Sequence, residues 1–510
     1  MKKTKRTKIH PILMCLILIA VVVVVSGIGD ALGLQTSYYH VNPITGKMES
    51  QLVEIDSIFN RTGIQYMVSN MISNFINFAP LGTLIVGLLG VGVAYKSGFL
   101  TTLFKLIKKN VSRKLITFLI VLLGIIFSMF YEMAYVILIP LSAILFITLK
   151  RHPSAGICAT FAGITFGYGA NIVINGLDSI LHTYTSSSAL ILDANYKVSL
   201  SGNIYFMIIS TILIAYVGMQ VTEKYIIPKL GKYNYDEEEI EEEVTKKERK
   251  GLTLALMSLL ILLIITIYCI IPGLPFSGLF LYLKEKLYVD QLFGNNSYFN
   301  QGIVFIISAY LMIAGLIYGI RVKTIKNNKD FVDGMSYYLT NIASILVLLF
   351  FYAQLISIFK KSNIGIFIIA SLTEAISNFE LTGILLIIIS FIVIIISSIF
   401  VPVASTKWAI LSPVLVPMFM SSSMTPEFAT AVFRAADSSV RGITPLFTYF
   451  VLLIGFLQIY NQRQEETITL TDAISLMAPY AIAFSILWLL IVLGFYIIGL
   501  PIGPGISPTI

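Results

Sequence analysis

Charge is scarce in this sequence. Of its 510 residues only 12% are Asp, Glu, Lys or Arg, about half the share in soluble domains. Histidine occurs four times and cysteine three times, and Cys15, Cys158 and Cys269 all lie in apolar runs at no metal-binding spacing. They read as packed thiols. No HExxH, GxSxG or GxxxxGK[ST] pattern occurs, which removes the usual starting points for a zinc protease, a serine hydrolase and an ATP-driven pump. The net charge of +8 is no sign of a nucleic-acid partner. Lys and Arg cluster in short segments between apolar runs, where they set membrane orientation.

Hydrophobicity is what the chain has instead: 57% apolar residues and a mean hydropathy of +0.87. Uncharged apolar runs near twenty residues, the length that crosses about 30 Å of hydrocarbon, recur from end to end. The fold class is an all-α polytopic membrane protein. MKKTKRTKIHPILMCLILIAVVVVVSG has a basic start, but its apolar stretch is long for a signal peptide and no small-x-small site follows cleanly. It reads as a first span with a cytoplasmic N-terminus.

A second span, about 75–96, delivers FKLIKKNVSRK to the cytoplasm. The stretch from Lys114 to Pro153 is basic at both ends and carries Ser128 and Glu132 at its centre. A re-entrant hairpin over about 114–150 fits both features; two full spans with a tiny outer loop are the alternative. The crossing at about 155–181 is broken at GITFGYGANIVING, where Gly163, Gly167 and Gly169 make a continuous helix costly. A return span completes an N-terminal half, 1–222, and a charged linker with DEEEIEEEV and KKERK, 223–250, reads as a solvated cytoplasmic connector. In the second half, 251–510, further spans lead to a second hairpin at about 381–420 and a second broken helix at about 426–460. Lys360 and Lys361 then lie outside, against the charge rule. A last span places the C-terminus outside, for nine transmembrane helices and two re-entrant hairpins.

The chain repeats itself at an offset of 273. AYVILIPLSAILF (134–146) matches KWAILSPVLVPMF (407–419) without a gap, and Pro140/Pro413, Pro153/Pro426 and Gly169/Gly442 keep the register. Five crossings separate the hairpins, an odd number, so the copies have opposite orientation. Inverted repeats with discontinuous helices mark secondary transporters that bind substrate near the bilayer midplane. Two hairpin tips and two helix breaks are expected to converge on one site, since freed backbone at membrane depth must be covered or face water. In FRAADSSVRGITPL, Arg434, Asp437 and Arg441 share one helix face. They either pair with one another to hold two helices together or face a polar cavity, where a surplus positive charge suits an anion.

Over nearly its whole length the chain resembles the AbgT family of p-aminobenzoyl-glutamate transporters. The stretches that carry the likeness include FAPLGTLIVGLLGVGVAYKSG, FAGITFGYGAN, ASTKWAILSPVLVPMFM, FRAADSSVRGITPL and GLPIGPG. The resemblance implies a homodimer with nine membrane helices and two re-entrant hairpins per subunit. It implies ion-driven uptake of p-aminobenzoyl-glutamate or a related aromatic or dicarboxylate anion, with proton-coupled efflux of sulfonamide-type antimetabolites as the alternative. A polytopic membrane hydrolase is a distant third reading, and no enzyme activity is expected. Family site residues map onto Asp178, Ser405, Trp408, Pro426, Arg434 and Asp437. The family usually has Glu where Tyr95 stands, and commonly Asn where this chain has Ser398.

The expected roles follow from chemistry. Trp408 stacks on an aminobenzoyl ring or anchors at the interface. Arg434 clamps a carboxylate, with Arg441 beside it. Asp178, Asp437, Glu132 and Ser398 serve ion coupling, and Asn171 and Ser405 are candidate sodium ligands, H+ being the other candidate ion. Glu132 matches Ser405 in the repeat. Lys407 contacts the anion or pairs with Glu132, and His152 is an ordinary loop residue.

Overall fold

The computed structural model of the chain describes residues 9–41, 48–235, 243–462 and 466–510. The basic leader MKKTKRTK and most of DEEEIEEEV, on which the orientation and linker readings partly rest, lie outside the described residues.

Helix α1 (Pro11–Ala31) leads into an antiparallel hairpin, β1 (Gln35–Val41) and β2 (Met48–Glu54). Short helices α2 (Arg61–Ser69) and α3 (Met71–Ile76) precede α4 (Ala79–Lys96) and the amphipathic α5 (Phe99–Asn110). The first repeat then runs through α6 (Arg113–Phe127), α7 (Ile139–Thr148), α8 (Pro153–Phe166), α9 (Gly176–Ala189) and α10 (Ile204–Val221). After α11 (Ile227–Leu230) come α12 (Lys246–Ile270), α13 (Tyr288–Phe293), α14 (Tyr298–Val322), α15 (Asn328–Ser336), α16 (Ala343–Lys361) and α17 (Ile364–Ser377). The second repeat is α18 (Gly383–Phe400), α19 (Ala404–Ser421), α20 (Pro426–Val440), α21 (Phe450–Ile459) and α22 (Leu470–Ile498).

Among the described residues nine helices are long and apolar enough to cross a membrane. The number agrees with the sequence reading, but the members differ. Two of the nine, α6 and α18, are first arms of the hairpins, while the expected crossings at 155–181 and 426–460 are each built from two shorter helices. Adding 273 to the bounds of α6, α8, α9 and α10 gives 386–400, 426–439, 449–462 and 477–494. These fall on α18, α20, α21 and α22, so the repeat holds element by element.

Proline shapes the first hairpin. Pro140 lacks an N–H and crowds the carbonyl four residues back, and the chain widens into a π turn over Ala134–Leu138 just before it. A second π turn, Thr222–Ile226, stands in the same relation to Pro228.

The two hairpins open at opposite ends of the molecule. At the mouth of the first, Arg151 on the far side of α7 donates to the Arg113 carbonyl (3.2 Å) and to Glu223 Oε1 (2.6 Å), just past the end of α10. At the mouth of the second, Ser422 Oγ donates to the Leu381 carbonyl (3.4 Å), and Thr425 N donates to the Pro508 carbonyl in the C-terminal tail (3.0 Å). That tail also meets the first turn of α10, where Tyr205 N donates to the Ile502 carbonyl (3.0 Å). The 18 residues of α10 put about 27 Å between the two mouths. Opposite orientation of the copies is therefore built into the packing.

Two features escape the sequence reading. The β1–β2 hairpin and α17 fill segments left without structure there, and they bind each other through Thr36 Oγ1, which donates to Glu374 Oε2 (2.9 Å). The apparent breach of the charge rule also has a local answer, because Lys361 pairs with Asp56 at 2.5 Å.

Candidate functional site

Where α6, α8, α18 and α20 stop, backbone carbonyls lose their helical partners and must be satisfied. The two copies do this alike. Asn171 Nδ2, in the break after α8, donates to the Ile126 carbonyl at the end of α6 (3.1 Å). Thr444 Oγ1, in the break after α20, donates to the Ile399 carbonyl at the end of α18 (2.7 Å). Both donors and both acceptors are 273 residues apart. The end of α8 has a further cap, Trp488 Nε1 on the Phe166 carbonyl (3.1 Å).

The four interruptions meet around one cavity of about 860 Å³. Tyr131 and Glu132 come from the first hairpin tip, Val403 and Ser405 from the second, Tyr168 and Asn175 from the break after α8, and Arg441 and Tyr449 from the break after α20. Tyr131 holds φ at 39°, a left-handed backbone unusual for a non-glycine residue. That conformation carries its hydroxyl to Arg441 Nη2 (2.7 Å). The Arg441 guanidinium lies 4.2 Å from the Tyr168 ring centre and 5.1 Å from that of Phe447. Its Nε and Nη1 have no hydrogen-bond partner although the residue is buried. Positions 168 and 441 are themselves equivalent in the repeat. Residues related by a pseudo-twofold touch each other only beside its axis, so the cavity lies on that axis.

The charged trio of FRAADSSVRGITPL does not pair within itself. Arg434 reaches out of α20 to Asp178 Oδ1 (2.5 Å) and to the Gly169 carbonyl (2.9 Å). Asp178 is the third residue of α9, and its other oxygen accepts from Asn175 N (2.7 Å) in a capping box. It is buried. Asp437 is joined instead by Lys407, whose ammonium donates to Asp437 Oδ1 and to Ser398 Oγ (2.8 Å), all three residues being buried. Lys407 therefore pairs with Asp437, and neither expected role, anion contact or partner of Glu132, is the one it fills. With Arg434 and Asp437 each neutralised across an element boundary, Arg441 is the cation left facing the cavity.

Other expected site residues stand apart from the cavity wall. Trp408 is fully buried, its ring 4.5 Å from that of Phe433 and its Nε1 donating to Thr185 Oγ1 on α9 (2.8 Å). Its equivalent, Tyr135, stacks on Tyr449 of the other copy (4.6 Å). The aromatic anchor of each hairpin thus docks on the opposite copy, and its faces are taken by protein. Pro426 opens α20 beside the C-terminal tail, behind the Thr425 cap. His152 caps α8, accepting from Ser154 N (3.2 Å), and burial pushes its imidazole down to about 4. It is thus neutral at physiological pH and free to accept.

A sodium ion finds little room among the expected ligands. Asn171 Oδ1 accepts from Ile172 N (2.8 Å) while Nδ2 serves the α6 carbonyls, and the residue does not line the cavity that Ser405 lines. Asp437 and Ser398 already hold an ammonium. These residues do not fit a bound sodium.

A helical membrane protein whose hairpin tips and broken helices, drawn from two oppositely oriented copies, enclose one polar cavity is built as a secondary transporter. The chain belongs to the AbgT putative transporter family, whose sequence pattern matches residues 5–510. It is 32% identical over 507 residues to the p-aminobenzoyl-glutamate transport protein of Escherichia coli (strain K12), across 98% of this chain and 94% of that one. Among solved structures it is similar to the YdaH transporter of Alcanivorax borkumensis, at 27% identity and a TM-score of 0.49, covering 97% of this chain and 100% of that one. It is also similar to MtrF of Neisseria gonorrhoeae, described as illuminating a class of antimetabolite efflux pumps, at 32% identity, a TM-score of 0.49 and 98% of each chain.

Proposed function

We propose that this chain carries p-aminobenzoyl-glutamate, or a related aromatic dicarboxylate anion, across the cytoplasmic membrane by alternating access driven by an ion gradient. The observation that supports it most is Arg441: a buried guanidinium with two unused N–H groups in the wall of the cavity. Each unused N–H can donate to a carboxylate oxygen in a charge-assisted hydrogen bond. The cavity, about 860 Å³, falls within the range for small-molecule sites, ~300–1,000 Å³. Phe130, Tyr131, Tyr168 and Tyr449 line it and offer edges and faces to an aminobenzoyl ring.

In this reading the tips of two re-entrant hairpins close the cavity from either side in turn. The buried pairs Arg434–Asp178 and Lys407–Asp437 join the second copy's broken helix to α9 and to the second hairpin, so they open and close with that motion. Basic residues Arg113, Lys114, Lys150 and Arg151 at the first mouth support a cytoplasmic placement of that end. The C-terminal tail, at the other end of α10, is then external. The subunit works as a homodimer, as the family likeness implies.

Uptake of radiolabelled p-aminobenzoyl-glutamate into proteoliposomes, with proton and sodium gradients imposed separately, tests the proposal. Accumulation above equilibrium under a gradient is the expected result. A carrier is reversible, so accumulation of a sulfonamide with the gradient inverted would favour the export direction. Absence of accumulation under either gradient, with hydrolysis of the amide by purified protein, would replace transport by catalysis.

A further inference from the structure

Lys407 lies in the first turn of α19, one residue before Trp408, without solvent exposure. Its ammonium bridges three elements. Ser398 stands near the end of α18, Lys407 at the start of α19, and Asp437 in the last turn of α20. The Ser398 hydroxyl accepts from Lys407 Nζ (2.8 Å), and its one proton has two acceptors in reach, the Ile394 carbonyl (2.7 Å) and Asp437 Oδ1 (3.1 Å). The cluster sits behind the second hairpin tip, not in the cavity wall.

A buried carboxylate and a hydroxyl beside interrupted helices are the donor set that holds a hard monovalent cation. In this chain the cation position is filled from within. An ammonium carries the same unit charge, offers three donors and no acceptor, and is covalently held. A second cation brought to Asp437 Oδ1 would meet a like charge where no solvent screens it. The oxygens it needs are already shared with Nζ.

We propose that Lys407 is a tethered cation, its ammonium standing beside Asp437 and Ser398 where a mobile sodium ion would otherwise bind, so that Asp437 takes up no sodium in this protein. The consequence for transport, coupling without sodium at this carboxylate, rests on the transporter reading. The cation exchange itself does not, and it is read without substrate.

The test is thermal unfolding of purified full-length protein in detergent, in sodium, potassium and choline chloride at equal ionic strength. Wild type is expected to unfold at the same midpoint in all three salts. Lys407→Ala is expected to gain a saturable, sodium-specific rise of ~2 °C, lost again in Lys407→Ala/Asp437→Asn. Should Lys407→Ala be too unstable to isolate, its recovery when sodium, but not potassium, is present during extraction supports the same conclusion. A sodium-specific rise in wild type that the neutral double variant lacks would overturn the proposal. So would a Lys407→Ala protein indifferent to which cation is present, whether folded or lost in every salt. A failure to transport p-aminobenzoyl-glutamate would leave these outcomes readable and strike only the substrate assignment.

Discussion

Arg434 and Arg441 stand seven residues apart in one segment and differ in their partners. Arg434 is bound to Asp178 and to the Gly169 carbonyl with only Nη2 unpaired, while Arg441, held by Tyr131, keeps Nε and Nη1 unpaired at the cavity. Hydrogen bonds to charged groups contribute about 1.5–3 kcal/mol, so Arg441→Ala should weaken apparent substrate affinity roughly 10–100-fold with the protein still folded. Arg441→Lys keeps the charge without the planar set of N–H donors and should restore only part. The concentration dependence of uptake measures both. Arg434→Ala should act first on stability. It strands Asp178 in the interior, at about 3–5 kcal/mol, and Arg434→Gln with Asp178→Asn should recover much of the loss in a thermal unfolding series. Equal instability of the single and double variants would deny the pair its part in the fold. The spacing of these charges marked them in the sequence as residues that need partners. It did not say which, because Asp178 is 256 residues away from Arg434 and pairing across elements leaves no local pattern. The surroundings of Trp408 are hidden for the same reason: a rare aromatic near a hairpin tip reads as a stacking partner or an interfacial anchor, and only packing reveals that Phe433 and Thr185 lie against it.

At the scale of elements, the repeat was legible because proline and glycine held one ungapped register, which membrane composition alone does not produce. The reason for the glycines was not. Gly169 reads in the sequence as a helix breaker, yet neither it nor its repeat partner Gly442 has a positive φ. Both are contact points. A Cβ on Gly169 would stand 2.7 Å from Ser438 Oγ and 2.9 Å from the Arg434 carbonyl carbon, and one on Gly442 would stand 2.6 Å from the Phe166 ring. Gly169→Ala should therefore push the broken helix α20 from its seat, lowering stability by about 1–3 kcal/mol and reducing uptake. Gly494→Ala in α22, where nothing lies within 4 Å, should be neutral or stabilising by up to ~1 kcal/mol. Unfolding midpoints for the two variants would separate close contact from helix propensity. Short elements stayed hidden: α17, at 14 residues, is under span length, and the two strands lie in a polar stretch with no hydrophobic alternation to announce them.

At the scale of the whole molecule, two inverted copies meet on an axis and share one compartment. The mouths of the hairpins lie at opposite ends of α10, while their tips, with both helix breaks, reach the same cavity. That convergence was legible in outline, since freed backbone inside a membrane must be enclosed. The lining was not, because the tyrosines that build it look in sequence like any others of the 27. Substrate protection of single cysteines tests the convergence most directly. Cys15, Cys158 and Cys269 are buried and free; with them replaced, cysteine is placed at Met129, Asn175, Ser405 or Thr448, one for each interruption. The prediction is that p-aminobenzoyl-glutamate slows thiol alkylation at all four positions with one common half-effective concentration. Protection confined to the positions of one copy, or no protection at saturating substrate in variants that still transport, would contradict a shared site.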